Sequence, residues 1–264
     1  MPGVIFSADD FGLTPGVNEA VARAHTNGRL TQASLMVAAP AAADAVARAR
    51  QLPGLNVGLH LVLVDGDSCL GHARLPHITM ADGKFPKNQV ALALRYFFSP
   101  AARRELRAEI GAQFAAFAAT GLALHHADAH KHMHLHPTVA RMMIETGQKF
   151  GLRRIRVPAE PPGILRLCGE KPGFGDYALH AWSFLLRWQA RGLQAPDQVF
   201  GLKWSGHMTL ARVQTLLEHL PAGESEIYFH PAVERDDVLT ALMPDYEHVA
   251  EFEALLGLQA PARP

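Results

Sequence analysis

Two cysteines in 264 residues leave no disulfide framework, and Cys69 and Cys168 form no C-x-x-C pair of the kind a zinc ribbon uses. Two buried free thiols are expected. Net charge is also missing: 25 Lys and Arg balance 25 Asp and Glu. No basic surplus points to nucleic acid, and no like-charge run forms a tail. No apolar run is long enough to span a bilayer. The start, MPGVIFSADD, lacks the basic stretch of a signal peptide and reaches two aspartates by residue 10. A cytoplasmic protein is expected. Internal repeats are absent, and the alanine-rich 38–49 is ordinary helix material.

The chain does have apolar residues, 48% of the total, and fifteen histidines. Its length suits one large α/β domain or two small ones. Short apolar runs alternate with longer helical patterns. Strands are predicted at 3–8, 34–39, 55–63, 122–129, 153–158, 198–202 and 226–232. Helices are predicted between them, the first opened by Thr14 and Pro15 as cap and first-turn proline. Further helices are expected over 101–120, 137–151, 178–192, 209–219 and 245–257. Residues 65–100 read as a loop insertion, and 158–178 as an irregular lid-like segment. No composition break divides the chain, so 1–264 reads as a single domain. About seven β-then-α units imply a parallel sheet with helices outside, as an open sheet or a closed barrel.

Parallel strands place their C-terminal ends on one face, where α/β proteins put their sites. Asp9 and Asp10 follow the first strand, His60 lies late in the third, Asp128 and His130 follow the fourth, and His230 ends the seventh. Neighbouring residues on a strand point to opposite faces, so one aspartate could bind metal while the other does something else. In HHADAHKHMHLHP (125–137), His130, His132, His134 and His136 alternate at period two. That spacing does not suit one helical face and is expected to be an extended strand end leaving the mouth. One or two of these histidines could reach a metal while others line the pocket. Asp10, His60 and His130 would make a mixed nitrogen and oxygen site, suited to catalytic Zn²⁺, with Mg²⁺ or Mn²⁺ as alternatives.

The segments SADDFGLTPGVNEAV, VGLHLVL, DAHKHMHLHP and YFHPA resemble four motifs of the YdjC-like carbohydrate deacetylases, in the family order from residue 7 to residue 232. LTQASLMVAAPAAADAVARAR, RYFFSPAARRELRAEI and VFGLKWSGHMT resemble the hopanoid-biosynthesis-associated branch. The resemblance implies a single-domain, TIM-like (β/α) barrel, distorted or incomplete, with its active site at the C-terminal ends of the strands. It implies one divalent metal ion, Zn²⁺ or Mg²⁺, on Asp10, His60 and His130. It makes Asp9 the general base and His230 a histidine near the leaving group. Asp128, His132 and His134 are expected in the pocket or behind the ligands. Many relatives have serine where this chain has Ala129.

The implied reaction is removal of an N-acetyl group from an N-acetylglucosaminyl moiety, on a hopanoid glycolipid. The alternatives are a soluble chito-oligosaccharide or another acetylated sugar, metal-assisted phosphoester hydrolysis, and a non-catalytic metal- or sugar-binding protein. HAWSFLLRWQARGL (180–193) reads as a core-facing helix, with peripheral contact at the inner membrane surface as the other reading. A homodimer is possible.

Overall fold

Apolar and polar side chains alternate along the strands, and the alternation sorts them onto two faces. The protein is described over residues 3–258 in a computed structural model, so both ends of the expected 1–264 span lie outside the described residues. Six strands form one parallel sheet: β1 (Gly3–Phe11), β2 (Gln32–Leu35), β3 (Asn56–Leu61), β6 (Ala127–Ala129), β7 (Gln198–Phe200) and β8 (Glu224–Phe229). Their spatial order is β6-β3-β2-β1-β8-β7. β4 (Gly66–Asp67) and β5 (Lys84–Phe85) pair separately and antiparallel.

On one face Phe6, Ala8, Leu35, Leu59, Ile227 and Phe229 are buried in the main hydrophobic cluster. The helices supply the rest of that core: α1 (Pro15–Asn27), α2 (Ala42–Arg50), α3 (Gln89–Phe98), α4 (Pro100–Ala119), α5 (Pro137–Lys149), α6 (Pro162–Leu167), α7 (Phe174–Gln189), α8 (Leu210–Glu218), α9 (Asp237–Leu242) and α10 (His248–Gly257). The intervening strand positions are buried too, but polar, and they bond one another. Gln32 donates to Glu226 (3.0 Å) and to Ser7 (3.3 Å), and Ser34 donates to Asp128 (2.9 Å). Buried polar groups persist only when partnered, and this second face meets that condition as a network.

Thr14 caps α1, accepting from the Val17 N–H at 3.3 Å, with Pro15 at the first helical position as expected. Other expectations need correction. The sheet holds six strands rather than seven. Residues 153–158 meet it at one isolated bridge, Ala127 with Ile155, and Arg154 bridges separately to Gln194. Pro158, Pro161 and Pro162 have no N–H with which to extend a ladder. The fourth strand is confined to β6, well short of 122–129.

The 65–100 insertion is not all loop. It holds the β4–β5 hairpin and α3, whose cap Asn88 accepts from Ala91 N–H (3.0 Å) and which buries Leu92 and Tyr96. The 158–178 segment contains α6, and α7 begins at Phe174, four residues before the expected helix. α9 was not expected. Cys69 and Cys168 are free but only part-buried.

Candidate metal and catalytic site

β1 ends irregularly. Its register with β2 shifts between Ala8 and Phe11, and Asp10 takes φ 60°, the left-handed region that non-glycine residues enter at a cost of roughly 1–3 kcal/mol. The shift undoes simple alternation, so Asp9 and Asp10 serve one region rather than opposite faces.

Asp10 is buried, and its Oδ1 lies 3.1 Å from His130 Nδ1 and 3.4 Å from His60 Nε2. One donor atom from each of the three residues falls within 4.8 Å of the others. Asp10 Oδ2 is buried and has no hydrogen-bond partner. A carboxylate with one oxygen against two imidazoles and the other orphaned is what a divalent cation would satisfy. His60 Nδ1–H donates to Asp128 Oδ1 at 2.7 Å, which fixes the ring and leaves Nε2 toward Asp10. A carboxylate behind a ligand histidine is the usual support for such a ligand.

Asp9, His60 and Asp128 also bring donors within 4.8 Å. Arg156 already occupies that set. Its guanidinium donates to both Asp9 oxygens (2.7 and 2.8 Å), pairs with Asp128 (2.7 Å) and reaches Glu226 (2.8 Å). The Asp10 set alone retains free donor capacity.

The charges agree with the geometry. Burial opposes ionisation of Asp10, but His130 and His60 outweigh it and hold its carboxyl well below the usual range. Asp128 is likewise held well below that range, burial being overcome by Arg156 and His60. Burial opposes charge on His60, yet Asp128 and Asp9 push its pKa up to about 10. The region is a well of negative potential that favours a cation.

The histidine run is not an extended strand end. β6 stops at Ala129, and His130–Leu135 form a 3-10 turn in which Lys131 (φ 50°) and His132 (φ 52°) are left-handed. A salt bridge from Lys131 to Asp65 ties the turn to the loop after β3. The histidines therefore diverge. His130 joins Asp10; His132 Nε2 meets the Tyr228 hydroxyl at 2.9 Å; His134 Nε2 meets the Arg156 carbonyl at 3.1 Å. Burial pushes the pKa of His134 down to about 4. His136 lies against Tyr96 and Phe97, just past the turn and not on the cavity wall.

A cavity of about 320 Å³ opens over these groups, walled by Asp9, His60, His130, His132, Tyr228 and His230 among others. His230 follows β8, its backbone N–H bonded to Glu251 and its ring 4.9 Å from that of Tyr246. His134 does not reach the cavity wall, whereas His132 does. A second cavity of about 200 Å³ shares His130 and is walled mainly by apolar side chains, including Leu13, Met36, Val62, Phe85 and Leu242, with Asp65, Asp67, Lys84 and Lys87 among the rest.

Sequence reading missed Arg156, Glu226, Ser34 and Tyr228. Their signal was the polar member at every second position of otherwise apolar strands, as in QASL and ESEIYF.

The family model described as YdjC-like protein matches residues 3–262. The chain belongs to this family. It is 35% identical over 161 residues to a carbohydrate deacetylase of Brevibacillus brevis, covering 61% of this chain and 60% of that one. It is 38% identical over 152 residues to a carbohydrate deacetylase of Vibrio cholerae, covering 56% of each. The chain thus spans about 56–60% of the length of these curated relatives. A crystal structure from Enterococcus faecalis V583, described as a candidate cellobiose-phosphate cleavage protein, superposes with a TM-score of 0.75 at 22% identity. It covers 97% of this chain and 90% of its own, and it shares the fold.

Proposed function

We propose that this YdjC-family member is a metal-dependent hydrolase that removes the acetyl group from an N-acetylated amino sugar. The observation that carries the reading is the meeting of Asp10, His60 and His130, with the second Asp10 oxygen left unpartnered and with Asp9 and His230 on the wall of the same cavity. Two imidazoles and one carboxylate suit Zn²⁺ better than Mg²⁺, which prefers oxygen donors. A divalent cation held there would polarise the acetyl carbonyl and lower the pKa of a water molecule.

Asp9 is placed to take the proton of the attacking water. Arg156 fixes the plane of its carboxylate and leaves the outer lone pairs for that proton. His230 lines the cavity wall with its Nδ1 turned toward Glu251 (3.8 Å), and in this reading its ring protonates the departing amine nitrogen. Asp128 holds His60 in one orientation, and His132 with Tyr228 closes the wall beside Asp9. Among the described residues the cavity wall carries Lys131 but no arginine fork to grip a phosphate, which disfavours phosphoester hydrolysis.

The substrate we propose is amphiphilic: an N-acetylglucosaminyl group on an apolar aglycone such as a hopanoid. The apolar cavity on the other side of His130 supports it, because a substituent on the sugar could enter there. In the same reading the curled sheet, with residues 153–158 bridging beyond β6, is an incomplete (β/α) barrel. The test is acetate release from N-acetylglucosaminyl lipids and from chito-oligosaccharides, with and without chelator. Release from lipid substrates that chelator abolishes is expected. Release from oligosaccharides alone would replace the substrate, and none from any acetylated sugar would remove the reading.

A further inference from the structure

The described residues expose an uneven share of large apolar side chains. α3 presents Val90, Leu94, Phe97 and Phe98, the last 70% exposed. α6 and α7 present Leu167, Phe174, Tyr177, Trp182, Phe184 and Trp188, with Phe174 at 90% and Trp188 at 58%. α7 was expected to face the core, but it buries only Ser183 and Leu186. Leaving so many aromatic rings in water is unfavourable unless something covers them.

The two groups meet beside the site. Phe97 packs against His136 at 6.0 Å between ring centres, and Trp182 Nε1 donates to the Leu135 carbonyl at 2.8 Å. Leu135 ends the turn that carries His130 and His132, and His136 directly follows it. Gln89, at the start of α3, donates to the Lys131 carbonyl (2.9 Å), and Leu179 of α7 lines the cavity itself. The apolar surface is therefore the rim of the cavity mouth.

Its charge identifies what covers it. Residues 89–98 and 162–191 hold five basic side chains, Arg95, Arg166, Lys171, Arg187 and Arg191, against two acidic ones, while the chain as a whole is balanced. Asp176 is paired with Lys203 (3.0 Å), and Glu170, which accepts from the Trp204 indole (2.7 Å), keeps its charge, so the basic side chains remain in excess. Arg191 lies 4.8 Å over the Trp188 ring and Arg166 5.6 Å over Tyr177. Aromatic rings with polar edges flanked by arginines match the boundary between headgroups and acyl chains. A second copy would set this positive surface against itself.

We infer that the α3, α6 and α7 face docks on an anionic lipid surface and brings the cavity mouth to the headgroup layer. No described helix is long and apolar enough to cross a membrane, so the contact is peripheral.

The proposal goes beyond the hydrolytic reading, and its test needs no turnover. The full chain is floated with vesicles of phosphatidylglycerol and phosphatidylcholine, and with phosphatidylcholine alone. Binding to the anionic vesicles, weakened by salt, is expected, with a blue shift of tryptophan fluorescence. The triple variant Phe98→Ser, Phe184→Ser, Trp188→Ser should lose at least about ten-fold in partition while its circular dichroism is kept. Lys171→Glu with Arg191→Glu, which leaves the aromatic rings in place, should lose about five-fold or more per charge. No binding to anionic vesicles overturns the inference. So does undiminished binding by both variants, or a dimer in sedimentation that the triple variant abolishes while vesicles go unbound.

Discussion

Asp9 and Asp10 are neighbours with different partners, and substitution should separate them. Asp10→Asn removes the charge that faces His60 and His130, so zinc content measured on the purified protein should fall to background. Asp9→Asn leaves the three ligand side chains in place. It should keep metal and lower turnover by roughly 10²–10⁴. Full activity in Asp9→Asn would take Asp9 out of the chemistry.

Arg156 pairs Asp9, Asp128 and Glu226 with no exposure of its own side chain. Burial opposes charge on Glu226 and raises its pKa against the pull of Arg156. Arg156→Met strands buried carboxylates and should cost about 3–5 kcal/mol in denaturant unfolding. Adding Glu226→Gln should return part of that loss, because one stranded charge is gone. A cost under about 1 kcal/mol would show that the network carries little of the stability.

At the scale of elements, close approach explains why VGLHLVL has its glycine. A Cβ at Gly58 in β3 would stand 2.5 Å from the His126 ring. His126 Nε2 is 3.0 Å from Ser34, and Ser34 donates to Asp128, which orients His60. Gly58→Ala should therefore destabilise by roughly 1–3 kcal/mol and also weaken metal retention, read by melting and by metal content together.

The loop after β7 hangs on one carboxyl group. Glu160 accepts from the N–H groups of Gly201 (2.8 Å), Leu202 (3.1 Å) and Lys203 (2.9 Å). Burial pushes its pKa up to about 7 against the pull of those three donors. The folded state then binds this proton more tightly than the unfolded state. This group's contribution to stability is full below pH 4.5 and is lost as pH rises through 7. Unfolding midpoints at pH 5 and pH 8 should differ by less in Glu160→Gln than in the parent protein. Equal differences would remove Glu160 as the source.

On the whole-molecule scale the site draws on β1, β3, β6 and β8, so occupancy and folding are linked. An ion that binds only the folded chain should stabilise it by about 2.7 kcal/mol at a hundred times its dissociation constant. Zinc should raise the melting temperature, chelator should reverse the rise, and Asp10→Asn should show neither. A zinc response unchanged in Asp10→Asn would place the ion elsewhere.

Much of this architecture could be read in advance. Thr14-Pro15 marked the start of α1, apolar runs marked the strands, and the positions of Asp10, His60 and His130 at strand ends marked their convergence. The period of the histidine run misled, because two left-handed residues turn an apparent strand into a 3-10 turn. α3 was overlooked, because it closes a stretch whose Gly, Pro and polar residues read as one loop insertion.

Local pattern, working over a few residues, determined which segments are strands and helices and which strand ends bear ligand-type side chains. Only the tertiary structure decided the partners. Arg156 comes to Asp9 from 147 residues away, Asp128 to His60 from 68, and the register shift that turns Asp10 into the site depends on how β1 lies on β2. Pairings across such distances are set by the packing of the whole sheet, which no short window of sequence contains.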